Sequence, residues 1–356
     1  PGGNSLPVPG ENSLPAPADF QPNSIADQYA SEAPGAASSL IEQPCQSNAA
    51  NCGCNWGDYS MKGSICRVFG GAEYLLLRAH FSEAIGFVQV TDSLRNGLPF
   101  EHSQAQELNF RYNSAFRTFI GYHLSPTSDL QMTYLHINTS VALNGTPSSP
   151  NQFAIDAFGD RATFGQTIAT NATVNINAFD LDYVRSYVAN QGRVALRAAG
   201  GLRFADVRQG YGSSTFTANG ALQGNGVFNT HFFGAGPHFS LQGQARRRAD
   251  SAFSLVARGA GSLLVGGYDV SSGAMFTGMG GADQFARRTL TVPVLEAEIG
   301  AAWQPTPSFT LSAGWLVQAW FDLGVSGGTN GGKYIEVDDS NVMAFDGLFT
   351  RGMWRY

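Results

Sequence analysis

Between Leu108 and Leu124 apolar and polar side chains alternate over seventeen positions, and this pattern constrains the chain more than any other feature. Even positions read Leu108, Phe110, Tyr112, Ser114, Phe116, Thr118, Ile120, Tyr122 and Leu124. Odd positions read Asn109, Arg111, Asn113, Ala115, Arg117, Phe119, Gly121 and His123. A period of two is the signature of a strand with two unlike faces. One face suits lipid and the other an enclosed polar interior. The reverse assignment would place Arg111 and Arg117 in hydrocarbon, at roughly 2–4 kcal/mol each near the midplane.

The pattern recurs. Val194, Leu196, Ala198, Leu202 and Phe204 oppose Arg193, Arg197 and Arg203; Phe253, Leu255, Ala257, Leu263 and Val265 oppose Ser254, Arg258 and Ser262. Leu295, Ala297, Ile299 and Trp303 oppose Glu296 and Glu298, and Phe309, Leu311, Trp315, Val317 and Phe321 oppose Thr310, Ser312 and Gln318. At the C-terminus Leu348, Trp354 and Tyr356 oppose Arg351 and Arg355. Weaker segments at 68–80, 129–139, 173–189 and 227–242 bring the count to ten strands. In the third of these the apolar parity changes between Ile176 and Phe179, which predicts a bulge. Short connections (Ser125–Asp129, Asn190–Gly192, Gly243–Ser251, Gln304–Pro307) alternate with long ones near 81–107, 140–172, 209–226, 267–286 and 324–343. This rhythm fits an outer-membrane barrel with short periplasmic turns, and it places both chain ends on the periplasmic side. A further hairpin at Phe153–Phe158 or Thr163–Ile168 would raise the count to twelve.

Composition supports the same class. Only 13% of residues are charged, glycine numbers 43, and aromatic residues make up 12%. No run approaches the ~18–20 apolar residues of a spanning helix, and a net charge of −6 disfavours nucleic acid as a partner. A water-soluble sandwich would also alternate, but its strands average ~5–6 residues, shorter than the runs above. The expected fold is therefore all-β: a transmembrane antiparallel β-barrel of ten strands, with twelve as the alternative, occupying residues 67–356 and preceded by an irregular Pro-rich arm.

That arm, residues 1–66, is rich in Pro, Ala, Ser and Asn and repeats Asn4-Ser5-Leu6-Pro7 as Asn12-Ser13-Leu14-Pro15. It carries all four cysteines, Cys45, Cys52, Cys54 and Cys66. In an exported chain an even count reads as disulfides, with three possible connectivities. Four thiolates on zinc are the competing reading, although the Cys52-x-Cys54 spacing is tighter than that of ordinary zinc knuckles. A start at Pro1 without Met suits an exported chain whose signal has been removed.

The order of short motifs in 67–356 resembles the pore-forming outer-membrane proteins of the Legionella major-outer-membrane-protein type. The stretches are Gly71-Ala72-Glu73-Tyr74-Leu75-Leu76-Leu77-Arg78, Phe233-Gly234-Ala235-Gly236-Pro237-His238 and Gly261-Ser262-Leu263-Leu264-Val265-Gly266, then Val292-Pro293-Val294-Leu295-Glu296, Gly314-Trp315 with Gln318-Ala319-Trp320, and Phe345-Asp346-Gly347-Leu348-Phe349. The resemblance implies a pore-forming barrel in a bacterial outer membrane and carries over no catalytic or ligand residue.

Parity places Arg111, Arg117, Arg193, Arg197, Arg203, Arg258, Arg351 and Arg355 in the lumen against Glu73, Asp180, Asp182, Glu296 and Glu298. Open, such a lumen favours anions; ion-paired, it plugs the barrel. The first expectation is a porin-like barrel passing small anionic solutes. The second is a structural envelope protein with a plugged barrel, whose arm links neighbouring copies in a homo-oligomer or ties to the cell wall. The histidines (His80, His102, His123, His136, His231, His238) show no ligand spacing, so no metal site and no cofactor are expected. Asp338-Asp339 could activate water, but no histidine lies near it in sequence, so no enzyme activity is expected. Tyr122, Tyr134, Trp303, Trp315, Trp354 and Tyr356 read as interface girdles against outer-membrane lipid.

Overall fold

The structure, a computed structural model, describes residues 68–323 and 342–356 apart from positions 83, 96–97, 190–192, 249 and 277–278. The arm 1–66 with Cys45, Cys52, Cys54 and Cys66, the turn Asn190–Gly192 and the pair Asp338-Asp339 lie outside the described residues. Among the described residues, fourteen strands run in chain order. The first five are β1 (Val68–Phe81), β2 (Ile85–Arg95), β3 (Leu98–Glu107), β4 (Asn113–Ser125) and β5 (Ser128–Gly145). Next come β6 (Gln152–Asp156), β7 (Arg161–Ala162), β8 (Thr167–Ala189), β9 (Val194–Phe216) and β10 (Leu222–Ala245). The last are β11 (Phe253–Phe276), β12 (Met279–Thr306), β13 (Phe309–Phe321) and β14 (Val342–Arg355). Ten of them close an antiparallel ring in the order β1-β14-β13-β12-β11-β10-β9-β8-β5-β4. The other four form a separate sheet, β3-β2-β6-β7, at the end carrying the long connections. The expected ten-stranded barrel is therefore the one observed, and Phe153–Asp156 contributes to the second sheet, not to the ring.

Within the lower part of the ring, alternation runs as the sequence requires. Leu181, Tyr183, Leu202, Phe239, Leu255 and Ile299 face outward, while Arg117, Asp180, Arg203 and Glu296 are buried inside. Toward the long-loop end both faces exchange character. Inward positions become apolar: Leu75, Ile176, Val207, Phe232, Leu264, Val292, Phe345 and Phe349 form one packed cluster. Outward positions become polar, as Asn138, Asn175, Arg208, His231, Asp269 and Arg287 show. On β8 the outward change falls between Phe179 and Asn177 and the inward change between Asp180 and Ala178, at one height. A strand keeps its apolar side toward whatever excludes water. Below this level that is lipid, and above it the barrel's own core.

This exchange accounts for each departure from expectation. The parity change at Ile176–Phe179 is not a bulge: β8 pairs with β5 and with β9 without a register shift across it. The long connections near 209–226 and 267–286 are mostly strand, because an alternation with apolar residues inward does not read as membrane-spanning. β12 alone runs 28 residues, against the ~9–11 that cross a bilayer. The clean segment from Leu108 is also divided. β4 begins at Asn113, whereas Leu108 and Phe110 turn into the core, 6% and 3% exposed, with Phe110 5.2 Å from Phe81. Arg111 is exposed there and does not face the lumen.

The second sheet is joined to the barrel by the Tyr211 hydroxyl, which donates to the Gly86 carbonyl at 2.6 Å. A tight turn after β6 is held by Asp156, whose Oδ1 accepts from the amides of Phe158 (3.0 Å) and Asp160 (2.8 Å). Burial pushes the Asp156 carboxyl above its ordinary value, and the hydrogen bonds from these amides draw it back. The folded state thus binds its proton more tightly than the open chain, so this group favours the folded turn more as pH falls through its raised value. Asp156→Asn keeps the acceptor without the charge and should preserve or raise protease resistance of the second sheet at neutral pH. Asp156→Ala strands two amides and should cost about 1–3 kcal/mol locally, seen as faster cleavage within 85–107. The exchange of faces has its own test. In a full-length background with the four cysteines changed to serine, Asn175→Cys should react with a membrane-impermeant thiol reagent in liposomes. Leu181→Cys should not.

Candidate functional site

Cross-strand register brings the charged residues together. Glu73 of β1 stands opposite Arg117 of β4 on one side and Arg351 of β14 on the other. Asp180 of β8 faces Arg203 of β9, and Arg258 of β11 faces Glu298 of β12. Opposite charges directly across a ladder attract, and here all of them point inward at one level. Arg117 reaches three acids, Glu298 at 2.6 Å, Glu296 at 3.1 Å and Glu73 at 3.2 Å. Arg203 forks Asp180 through Nε and Nη2, at 2.6 and 2.7 Å, and meets Glu296 with Nη1 at 2.6 Å. Arg351 holds Glu298 at 2.5 Å and also Glu73, while Arg258 holds Glu298 at 2.9 Å. The Gln318 amide donates to Glu296. These contacts make a belt spanning the barrel from wall to wall.

Above the belt lies the apolar cluster. Below it a polar cavity of about 100 Å³ opens toward the short-turn end, lined by Gln131, Gln242, Gln244, Gln304, Ser312 and Arg197 among others. Arg197 sits in this cavity, bonded to Asp129 at 3.1 Å. Asp129 also takes His123 at 2.5 Å.

Of the residues that parity assigned to the lumen, Arg117, Arg203, Arg258, Arg351, Glu296 and Glu298 form the belt. Arg197 lies beneath it. Arg355 reaches the rim, where Nη1 donates to the Pro307 carbonyl at 3.4 Å. Arg193 belongs to the turn before β9 and is exposed, because the ladder with β8 and β10 starts only at Val194. Arg111 is exposed at the other end. The residue that sequence reasoning missed is His238 of β10. It is 0% exposed and bonded through Nδ1 to Asp182 at 2.9 Å. The two are 56 residues apart in the chain, and only the β8-β9-β10 order places them on one row, with Gly201 between. Gly201 has a reason to be glycine: a Cβ there would meet Asp182 Oδ1 at 2.6 Å.

Breaking such a network costs more than the network contributes, because each lost partner leaves a buried charge behind. Arg117→Ala would strand three carboxylates and should lower unfolding stability by roughly 3–5 kcal/mol, read by urea denaturation of the folded barrel in lipid. Arg111→Ala, in contrast, should fall within ~0.5 kcal/mol of the parent.

Comparison with known proteins places the chain. Residues 70–356 match the family model described as Legionella pneumophila major outer membrane protein precursor. No curated protein matches the chain. Among solved structures, the outer-membrane protease OmpT from Escherichia coli is similar at 11% identity, covering 84% of this chain and 99% of that one, with a TM-score of 0.48. Ail, the attachment invasion locus protein of Yersinia pestis, is 11% identical over 82% of this chain and 99% of its own, with a TM-score of 0.24. The Pseudomonas putida toluene transporter TodX is 6% identical over 85% and 92%, with a TM-score of 0.25. Scores of this size carry no argument about function. The family match spans most of the sequence and all but the first two residues of the ring, and the chain belongs to the Legionella major outer membrane protein family of bacterial outer-membrane β-barrels.

Proposed function

We propose that this protein is a closed-lumen barrel that serves as a structural, non-catalytic component of the outer membrane. One observation carries the reading. Among the described residues, the interior is filled in successive layers, first by side chains such as Phe232, Phe345 and Phe349, each at most 1% exposed, then by the ion-paired belt. A passive pore needs a polar path from end to end, and ten strands enclose little more space than the eight whose interior side chains fill completely. The arginines of the belt are engaged with carboxylates and therefore serve packing and closure, not attraction of anionic solutes.

In this reading the short-turn end faces the periplasm, and the second sheet forms the exposed outer surface. The arm 1–66 then serves as the link to neighbouring copies or to the cell wall. Purified full-length protein, shown folded by its heat-modifiable mobility on a gel, should give no conductance steps in a planar bilayer. Reproducible steps with anion preference, shifted by reversing Arg197 and Arg258, would establish the porin-like alternative instead.

A further inference from the structure

The belt has a local electrostatic gap. It gathers five buried carboxylates (Glu73, Asp180, Asp182, Glu296 and Glu298) against four guanidiniums (Arg117, Arg203, Arg258 and Arg351). Among the described residues, Asp182 takes no arginine within ion-pair distance; its partner is His238, at 2.9 Å. Burying a carboxylate without a full positive charge beside it is costly, and no arginine supplies one at this corner of the belt.

The side chains around Asp182 suit a cation. Asp180, Asp182 and His238 are all buried, and each offers a ligand atom within 4.8 Å of the others. His238 turns Nδ1 toward Asp182, so Nδ1 is the nitrogen placed for an ion shared with the carboxylates, and the ion would replace that hydrogen bond; Nε2, on the opposite edge of the ring, is buried and has no hydrogen-bond partner. Ser262, directly across the ladder from His238, likewise has a buried hydroxyl without a partner. Arg203 uses one acceptor position on each Asp180 oxygen, and a carboxylate has about four, so a lone pair stays available on each. An entry path exists, because Asp182 also lines the polar cavity that opens at the short-turn end.

We propose that Asp180, Asp182 and His238 form a binding site for a divalent transition-metal ion of the zinc class. Two carboxylate oxygens and one imidazole nitrogen are a ligand set that zinc accepts, with bonds of ~2.0–2.2 Å. A hard cation such as calcium prefers six to eight oxygens, which this corner does not supply. The ion would place positive charge beside Asp182, where no arginine reaches. It would also bridge β8 and β10 across the intervening β9, where Gly201 leaves the room.

The test uses full-length folded protein in which the four cysteines are replaced by serine, stripped with chelator and then titrated with zinc chloride alone. The expected result is uptake of one zinc per chain at micromolar concentration, with calcium chloride giving none. Asp182→Asn and His238→Gln, both checked for the folded gel mobility, should weaken that uptake at least 100-fold. Absence of uptake at 100 µM zinc, or uptake indifferent to both substitutions, would overturn the site. Should the variants not fold, X-ray absorption at the zinc edge of the loaded parent decides the matter. A shell of nitrogen and oxygen at ~2.0–2.2 Å that includes a single imidazole supports the site. A shell with several imidazoles places the ion on other histidines and refutes it.

Discussion

A charge buried in a low-dielectric interior has to be matched by its opposite, and the whole barrel is arranged around that requirement. The belt lies where bilayer contact ends, so the strands meet a change of surroundings inside and outside at nearly the same height. On β9 the inward series passes from Arg203 to Ala205 and Val207 while the outward series passes from Phe204 to Asp206 and Arg208. Glu73 and Leu75 on β1, and Glu296 and Val294 on β12, make the same inward passage. One chain therefore satisfies two solvents by trading its faces, and the ion pairs occupy the level of exchange.

The two halves of the barrel draw stability from different sources. The lower half has lipid outside and a polar interior, so its wall depends on backbone pairing that water cannot compete for. The upper half carries a buried apolar cluster and polar outer walls, as a water-soluble barrel does. Each large side chain there contributes on the order of 1.5–3 kcal/mol by leaving water. The same residues serve both wall and interior: those that stabilise the upper wall also pack inside it.

Much of this was legible in the residues, and the exceptions share a cause. Ten strands, their parity and ten of the thirteen charged positions assigned to the lumen follow from alternation wherever the outer face meets lipid. Above that level the same rule, applied with a lipid-facing assumption, misplaces Leu108, Phe110 and Arg111 and suggests a bulge at Ile176 where there is none. The full extent of β9 through β12 is hidden in the sequence for the same reason, since apolar residues pointing inward leave no membrane signature. His238 escaped notice because its partner lies two strands away in space and 56 residues away in the chain. Spacing along a sequence cannot report a meeting that register alone creates.

The length of the central strands has a mechanical consequence. β10, β11 and β12 cross the level of the belt with few interruptions, and their ladder bonds lie perpendicular to the strand axes. A pull on the projecting end, from shear flow or an adhering surface, acts along those axes. It therefore loads many hydrogen bonds together instead of peeling them one at a time. The β10–β11 ladder skips Gly236 and Pro237 near the belt, but the β9–β10 and β11–β12 ladders pair continuously across that level, so the protruding wall and the embedded wall stay joined at the membrane surface.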